Sequence, residues 1–524
     1  MTKLVAFLTG LVCLPFFVLA TPSGAVKPAP KGKVTAVVAT LGQQLVDPSH
    51  GKNGMMRPVS YHLQADLVRR DLEGKWVPAL ASSWEISPDG LSWKFTLRKG
   101  AKFHNGEEVT AQDVLYAYER CFLPEMANPN LKTFQSTVEK LEVKDDYTIV
   151  YHTKGPQPML LNNIPVVAAP RKYLEKVGTD GYAKNPVGAG PFKLVKNAIG
   201  EYMEWEAFEN YYSPEEVPHV KTAVMRVVPE AATRIAMLKT GEADIVHGVA
   251  GAQIKEIEST AGLRTLSGPS SGSSHLQFLN MYNSSSPFSD MRVRQALAHA
   301  IDRQAIVNKI YFGQALPTAV GGISKAQFGW NPDLKPYAYD PQKSKKLLAE
   351  AGYPNGFTAK IVTYDTATVP KTPDQMEALA AFFTQVGVKT TVTLMETGTY
   401  TARFRDKSLA KDYDMGPITM PTAPAYDVGY TTSIFYISTA PYTYINNPKI
   451  DELWKQSQHI VNPKEREQVL GKIQEIAYEE VLGLGTIESH SIFGIGPRVK
   501  EWKLQVGNPY LLGLERVALN PEKQ

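Results

Sequence analysis

Polar and apolar positions along this chain repeat with two different periods. Residues 34–40 (Val-Thr-Ala-Val-Val-Ala-Thr) are a β-branched run bounded by Gly42 and Asp47-Pro48, the pattern of a buried strand. Residues 92–98 alternate polar and apolar, as a half-buried strand does. Residues 141–144 and 147–152 read as a hairpin around Asp145-Asp146. A helix starts at Thr110, which can cap open N–H groups, with the Asp113 carboxylate in its first turn. Strands at 223–228 and 243–246 flank a helix at 231–240 that Gly241 ends. From Met291 the rhythm is helical: 293–300, 303–311, then 341–351, opened by Asp340-Pro341 and stopped by Gly352. Residues 361–364, 374–386 and 389–394 make a strand–helix–strand unit. A late helix runs from Asn462 to Glu480, and strands return after Gly485. This alternation predicts α/β lobes, and no internal repeat is visible.

A chain of 524 residues exceeds what one hydrophobic core serves, so two or more lobes are expected. The net charge of +4 is small and no Lys/Arg block stands out, which argues against a nucleic-acid partner. The first 25 residues differ from the rest. Lys3 precedes an apolar run at 4–20, and small, turn-forming residues continue to Ala25. That is the order of a Sec-type signal peptide, cleaved after Ala20 or Ala25. Pro15 breaks the run and no charges follow it, unlike a membrane anchor. Val12 is too bulky before Cys13 for lipoprotein processing. Residues 26–33 read as a Pro/Lys/Gly-rich tether. Cys121 is then the one remaining cysteine; a single thiol makes neither an internal disulfide nor a cysteine metal cage, and it reads as a small buried apolar residue. The expectation is a soluble, exported protein without cofactor or metal.

Four motifs occur in order. Residues 77–84 (Val-Pro-Ala-Leu-Ala-Ser-Ser-Trp) lead through Ser87-Pro-Asp-Gly90, Trp93-Lys-Phe-Thr-Leu-Arg98 and Phe103-His-Asn-Gly106 to Val109-Thr-Ala-Gln-Asp-Val114. Asn185-Pro-Val-Gly-Ala-Gly-Pro-Phe192 is the second, and Pro287-Phe-Ser-Asp-Met-Arg-Val-Arg-Gln-Ala296 with Ala300-Ile-Asp-Arg303 the third. Asp340-Pro341 with Leu347-Leu-Ala-Glu-Ala-Gly-Tyr-Pro354 is the fourth. This series resembles the extracellular solute-binding proteins of the dipeptide, oligopeptide and nickel importers (solute-binding protein family 5), with Ala189 where that family has threonine. From the residues themselves, Trp84, Trp93, Phe95 and Phe103 read as core or hairpin packing. Gly188 and Gly190 suit a turn needing positive φ, and Asp302 and Arg303 suit capping and pairing at a helix boundary.

The resemblance implies a two-lobed α/β periplasmic-binding clamp with an added subdomain and a two-segment hinge. Residues 26–64, 193–279 and 488–524 would form one ligand lobe, 65–192 the subdomain and 280–487 the second ligand lobe. It also implies a monomeric, non-enzymatic periplasmic protein. Such a protein captures a small-molecule or oligopeptide solute between its lobes and delivers it to ABC permease subunits of the inner membrane. A sensor that presents its closed form to a chemoreceptor is the alternative.

Dipeptide binders of the family anchor the α-ammonium with an aspartate; in the matching segment that position is Ala423, its tryptophan is Met420, and Asp427 could substitute. Where they place an arginine for the carboxylate, Lys371 is the one cation. Met55 and Met56 follow the first strand, where the family brings a loop to the cleft, and His275 and Gln277 lie on a strand entering the second lobe. With Tyr364, Tyr426 and Tyr430 these complete the candidate ligand contacts, each readable also as core or rim packing. Such surfaces suit sugars, conjugates and metal chelates as readily as peptides. Gly268-Pro-Ser-Ser-Gly272 matches a hydrolase nucleophile elbow, but a strand pattern follows where the elbow needs a helix.

Overall fold

The computed structural model describes residues 29–521 apart from 51–56, 65, 127–130, 164–166, 367–368, 422–425, 507–510 and 512. Met55, Met56, Ala423 and the signal segment lie outside the described residues. The strands in chain order are β1 (Lys33–Val38), β2 (Val68–Arg70), β3 (Trp76–Pro78), β4 (Ala81–Ile86), β5 (Ser92–Leu97), β6 (Val138–Asp145), β7 (Thr148–Thr153), β8 (Phe192–Ala198) and β9 (Tyr202–Ala207). Then come β10 (Thr222–Val227), β11 (Ile245–His247), β12 (Arg264–Phe278), β13 (Ala315–Pro317), β14 (Phe357–Thr363), β15 (Val388–Leu394), β16 (Met415–Pro421) and β17 (Leu484–Ile495). Among the described residues, eleven join one sheet ordered β15-β14-β16-β12-β17-β11-β1-β10-β9-β8, with β13 beside β17. β4-β5-β7-β6 form a separate antiparallel sheet. β1 pairs in parallel with both β10 and β11, which explains its continuous apolar run. In β5, Trp93, Phe95 and Leu97 point inward and the polar residues between them do not, as the alternation predicts.

The buried apolar residues separate into distinct cores. One draws on Leu67 through Ala189 around the four-stranded sheet. A second, the largest, draws on Leu276 through Ile487. The third combines β1, residues of 192–245 and the C-terminal stretch from Phe493, with a small satellite beneath Ile235 and Ile257. The chain passes between the last two bodies on β12 and β17, which are antiparallel partners from Arg264↔Ile495 to Leu276↔Leu484. Their ladder breaks register between Gly268 and Gly272, and again between Ser274 and His275. Bulges of this kind concentrate bending and twist.

Two motif arginines secure the start of β17. Arg294 donates to the carbonyls of Glu480 (2.7 Å) and Phe288 (2.8 Å), and Arg303 to that of Gly485 (2.8 Å). Asp302 caps the helix Arg303–Lys309 through Ala305 N, as expected, but Arg303 turns to carbonyls instead of pairing locally. A planar guanidinium with five donors suits that task.

Gly188 and Gly190 serve a purpose other than the expected one. Neither has a positive φ. They are close-approach sites: a Cβ on Gly188 would sit 1.9 Å from Leu63 O, and one on Gly190 2.5 Å from His62 O. Gly190 N donates to Leu63 O, tying this segment to the helix Arg57–Leu63. His104 of the first motif holds the same segment, accepting from Gly188 N at Nδ1 (3.2 Å) and donating from Nε2 to Gly190 O (3.0 Å).

Replacing Gly190 by Ala must displace backbone, so a loss of about 3 kcal/mol and a lowered melting temperature are expected. Gly155→Ala, where nothing lies within 4 Å, should melt as the wild type does in the same calorimetric scan.

Candidate functional site

The candidate site is the junction of the two large bodies, where β12 and β17 pass from one to the other. Residues directly opposite on neighbouring strands share a face. Ser273 lies opposite Met420 on β16 and Glu488 on β17, and Glu488 lies opposite Leu316 on β13. The junction therefore carries a thioether, a hydroxyl and a carboxylate in one row, all buried. Ser273 Oγ, Ser274 Oγ and Thr318 Oγ1 are buried without a hydrogen-bond partner among the described residues. Orphaned hydroxyls are costly in an interior unless something arrives to satisfy them.

Of the remaining sequence candidates, several are committed to the fold. Asp427 caps the helix Val428–Phe435 through Gly429 N and grips Arg466 at 2.7 and 2.9 Å, both residues buried. The expectation that Asp427 could receive a ligand ammonium is thereby corrected: its two oxygens are already spent. Gln277 donates to Tyr442 O and accepts from Tyr444 N, pinning that loop to β12. His275 is buried against Phe435 and Tyr436, and burial pushes its imidazole down to about 3. Tyr364 hydrogen-bonds Thr419 at 2.8 Å and stacks on Tyr400. Lys371 is exposed at the start of the helix Thr372–Gln385, 3.1 Å from Asp374. Met420 belongs to the junction row, Tyr426 is buried, and Tyr430 is half-buried on the helix that Asp427 caps.

Sequence reasoning missed Ser273, Glu488, Arg466 and Arg70. Glu488 had a signal, a single carboxylate inside an otherwise apolar or small-residue strand. Arg70 had none, because two of its partners, Asn162 and Tyr426, are distant in sequence. Its guanidinium lies 3.9 Å from the Trp76 ring centroid and 4.5 Å from that of Tyr426. Trp76 packs on the core of the four-stranded sheet, whereas Tyr426 leads into the helix Val428–Phe435 of the largest core. Gly90 likewise approaches Val461, and Gly251 the Phe312 ring.

Binding is the chemistry this arrangement supports. The Gly268–Gly272 pattern lies within one continuous strand, without the strand–turn–helix of a nucleophile elbow. Ser267 Oγ does meet His490 Nδ1 at 2.9 Å, yet His490 Nε2 has no partner among the described residues to orient the ring. No group of three or more His, Cys, Asp or Glu side chains able to hold a metal occurs among the described residues, and no described helix is long and apolar enough to cross a membrane.

Residues 75–440 match the model of the bacterial extracellular solute-binding proteins, family 5 (middle). Among curated proteins, the chain is 28% identical to heme-binding protein A of Haemophilus influenzae over 458 residues, 81% of each chain. It is 30% identical to the glutathione-binding protein GsiB of Pectobacterium atrosepticum over 386 residues, 73% of this chain and 72% of the other. Among solved structures, DppA from Helicobacter pylori in complex with the peptide STSA superposes with a TM-score of 0.71 at 25% identity, covering 93% of this chain and 98% of that one. HbpA2 from Haemophilus parasuis superposes with a TM-score of 0.81 at 23% identity, covering 93% and 100%.

Burial lowers His104 to about 4 and His275 to about 3, while the unfolded chain protonates histidine near 6.5. The unfolded state therefore binds more protons below pH 6.5, and stability falls as pH drops from there toward 4. The expected slope is about 1.4 kcal/mol per pH unit for each histidine. Urea melts between pH 4 and 7 measure it, and His275→Gln should flatten the profile.

Proposed function

This chain belongs to the bacterial extracellular solute-binding proteins of family 5, which capture substrates for ABC importers, and on that premise we propose that its cargo is a short peptide of the glutathione type. The relatives named for glutathione support this reading. So does the strand crossing, where the buried hydroxyls of Ser273 and Thr318 can hydrogen-bond peptide groups. The observation that carries the reading is the two-strand crossing: a gap whose walls are separate cores joined by β12 and β17 can close over a solute and exclude water.

The separate cores support the lobe assignment in outline, with 26–64, 193–279 and 488–524 in one lobe, 65–192 as subdomain and 280–487 in the other. Across those bounds, Ala117, Ala169, Leu174 and Tyr182 of the subdomain pack into the core of the first lobe, and Leu276, Phe278 and Leu279 into that of the second. The protein acts as a monomer in the periplasm after loss of its N-terminal signal, binding without chemical change and handing the closed form to a permease.

Reduced glutathione is expected to raise the melting temperature by mass action, with saturable binding in titration calorimetry. Ser273→Ala should weaken it by roughly fivefold, the loss of one neutral hydrogen bond. A shift with heme and none with glutathione would overturn the cargo assignment.

A further inference from the structure

We propose that Arg70 is a latch for the closed state, a positioning residue that sets cargo affinity without touching cargo. The proposal rests on the binding function above, but its geometry is independent of which solute is carried.

The guanidinium is held by hydrogen bonds and packs against two rings. Arg70 Nη1 donates to Gly74 O and Nη2 to Asn162 Oδ1, each at 2.6 Å. These bonds orient the plane within the body built on the four-stranded sheet. Trp76, across the β2–β3 hairpin at the register position Arg70↔Trp76, packs against it at 3.9 Å. Tyr426, from the opposite body, packs against it at 4.5 Å. Gly74, with φ of +84°, turns the hairpin so that its Cα side passes the Tyr426 ring; a Cβ there would meet that ring at 3.6 Å. Tyr426 is only 3% exposed, and its carbonyl accepts from Phe328 N at 2.8 Å, so the ring is presented by a fixed backbone. Asp427, the next residue, is locked to Arg466.

The two ring contacts are unequal. The Arg70–Trp76 contact is local and persists in any arrangement of the bodies. The Arg70–Tyr426 contact joins two bodies that also meet where Gly90 approaches Val461, and a contact of this kind is lost when the bodies part. An interaction present in one state alone shifts the population toward that state. A desolvated cation–π contact corresponds to roughly tenfold or somewhat more in that equilibrium. Cargo binding the shut form would gain the same factor, chiefly in its dissociation rate.

Small-angle scattering of the cargo-free protein tests this. Wild type and Tyr426→Phe, which keeps the ring, should give the same compact radius; Arg70→Gln and Tyr426→Leu should both be larger, with unchanged melting of the separate cores. Saturating reduced glutathione should return every variant to the compact radius, and its release from Arg70→Gln should be roughly tenfold faster. Identical cargo-free radii for all four proteins overturn the latch. If glutathione alters none of the curves, the cargo assignment fails, while the latch is still decided by the cargo-free comparison.

Discussion

The β12–β17 ladder is the constraint from which the rest of this molecule follows. On one side its residues pack into the core of Leu276 and Leu484, on the other into that of Phe493 and Ile495. Each core is close-packed and resists deformation, so any change in the angle between the bodies must be absorbed by the stretch that belongs to neither. That stretch is where the register breaks, around Gly268–Gly272 and Ser274. Arg294 and Arg303 bond the carbonyls of Glu480, Val481 and Gly485 and so tie the entry into β17 to the largest core.

The buried polar groups divide along the same line. Away from the crossing several are spent: Asp427 on Arg466, Gln277 on the 442–444 loop, Arg303 on three carbonyls. At the crossing, hydroxyls of Ser273, Ser274 and Thr318 are left over. Other buried polar atoms without a described partner, such as Trp93 Nε1, Trp205 Nε1 and Gln375 Nε2, are scattered singly through the cores, whereas these three hydroxyls lie within a few residues of one strand crossing.

The architecture was largely legible in the sequence. The helices at 231–240 and 341–350 and the β14–β15 unit follow from periodicity and capping, because local rules decide where those elements begin and end. The Asp113 carboxylate in the first helical turn, bonded to Thr110, was equally readable. Long-range geometry was not. The glycines at 188 and 190 looked like φ requirements and proved to be steric ones, since the backbone that crowds them is more than a hundred residues earlier in the chain. Asp427 looked available because its partner, Arg466, sits 39 residues away on another helix. Tyrosines and methionines at 364, 420 and 426 could be named as a class, but only the fold tells which line the junction, which fill a core and which meet Arg70.

Cys121 lies buried in the subdomain core, its S–H directed at Ala117 O 3.3 Å away. Disulfide exchange needs an accessible thiolate, and this sulfur is not accessible. A binding protein whose described portion keeps its one described cysteine out of reach is shielded at that position from exchange with any thiol or disulfide that enters the gap.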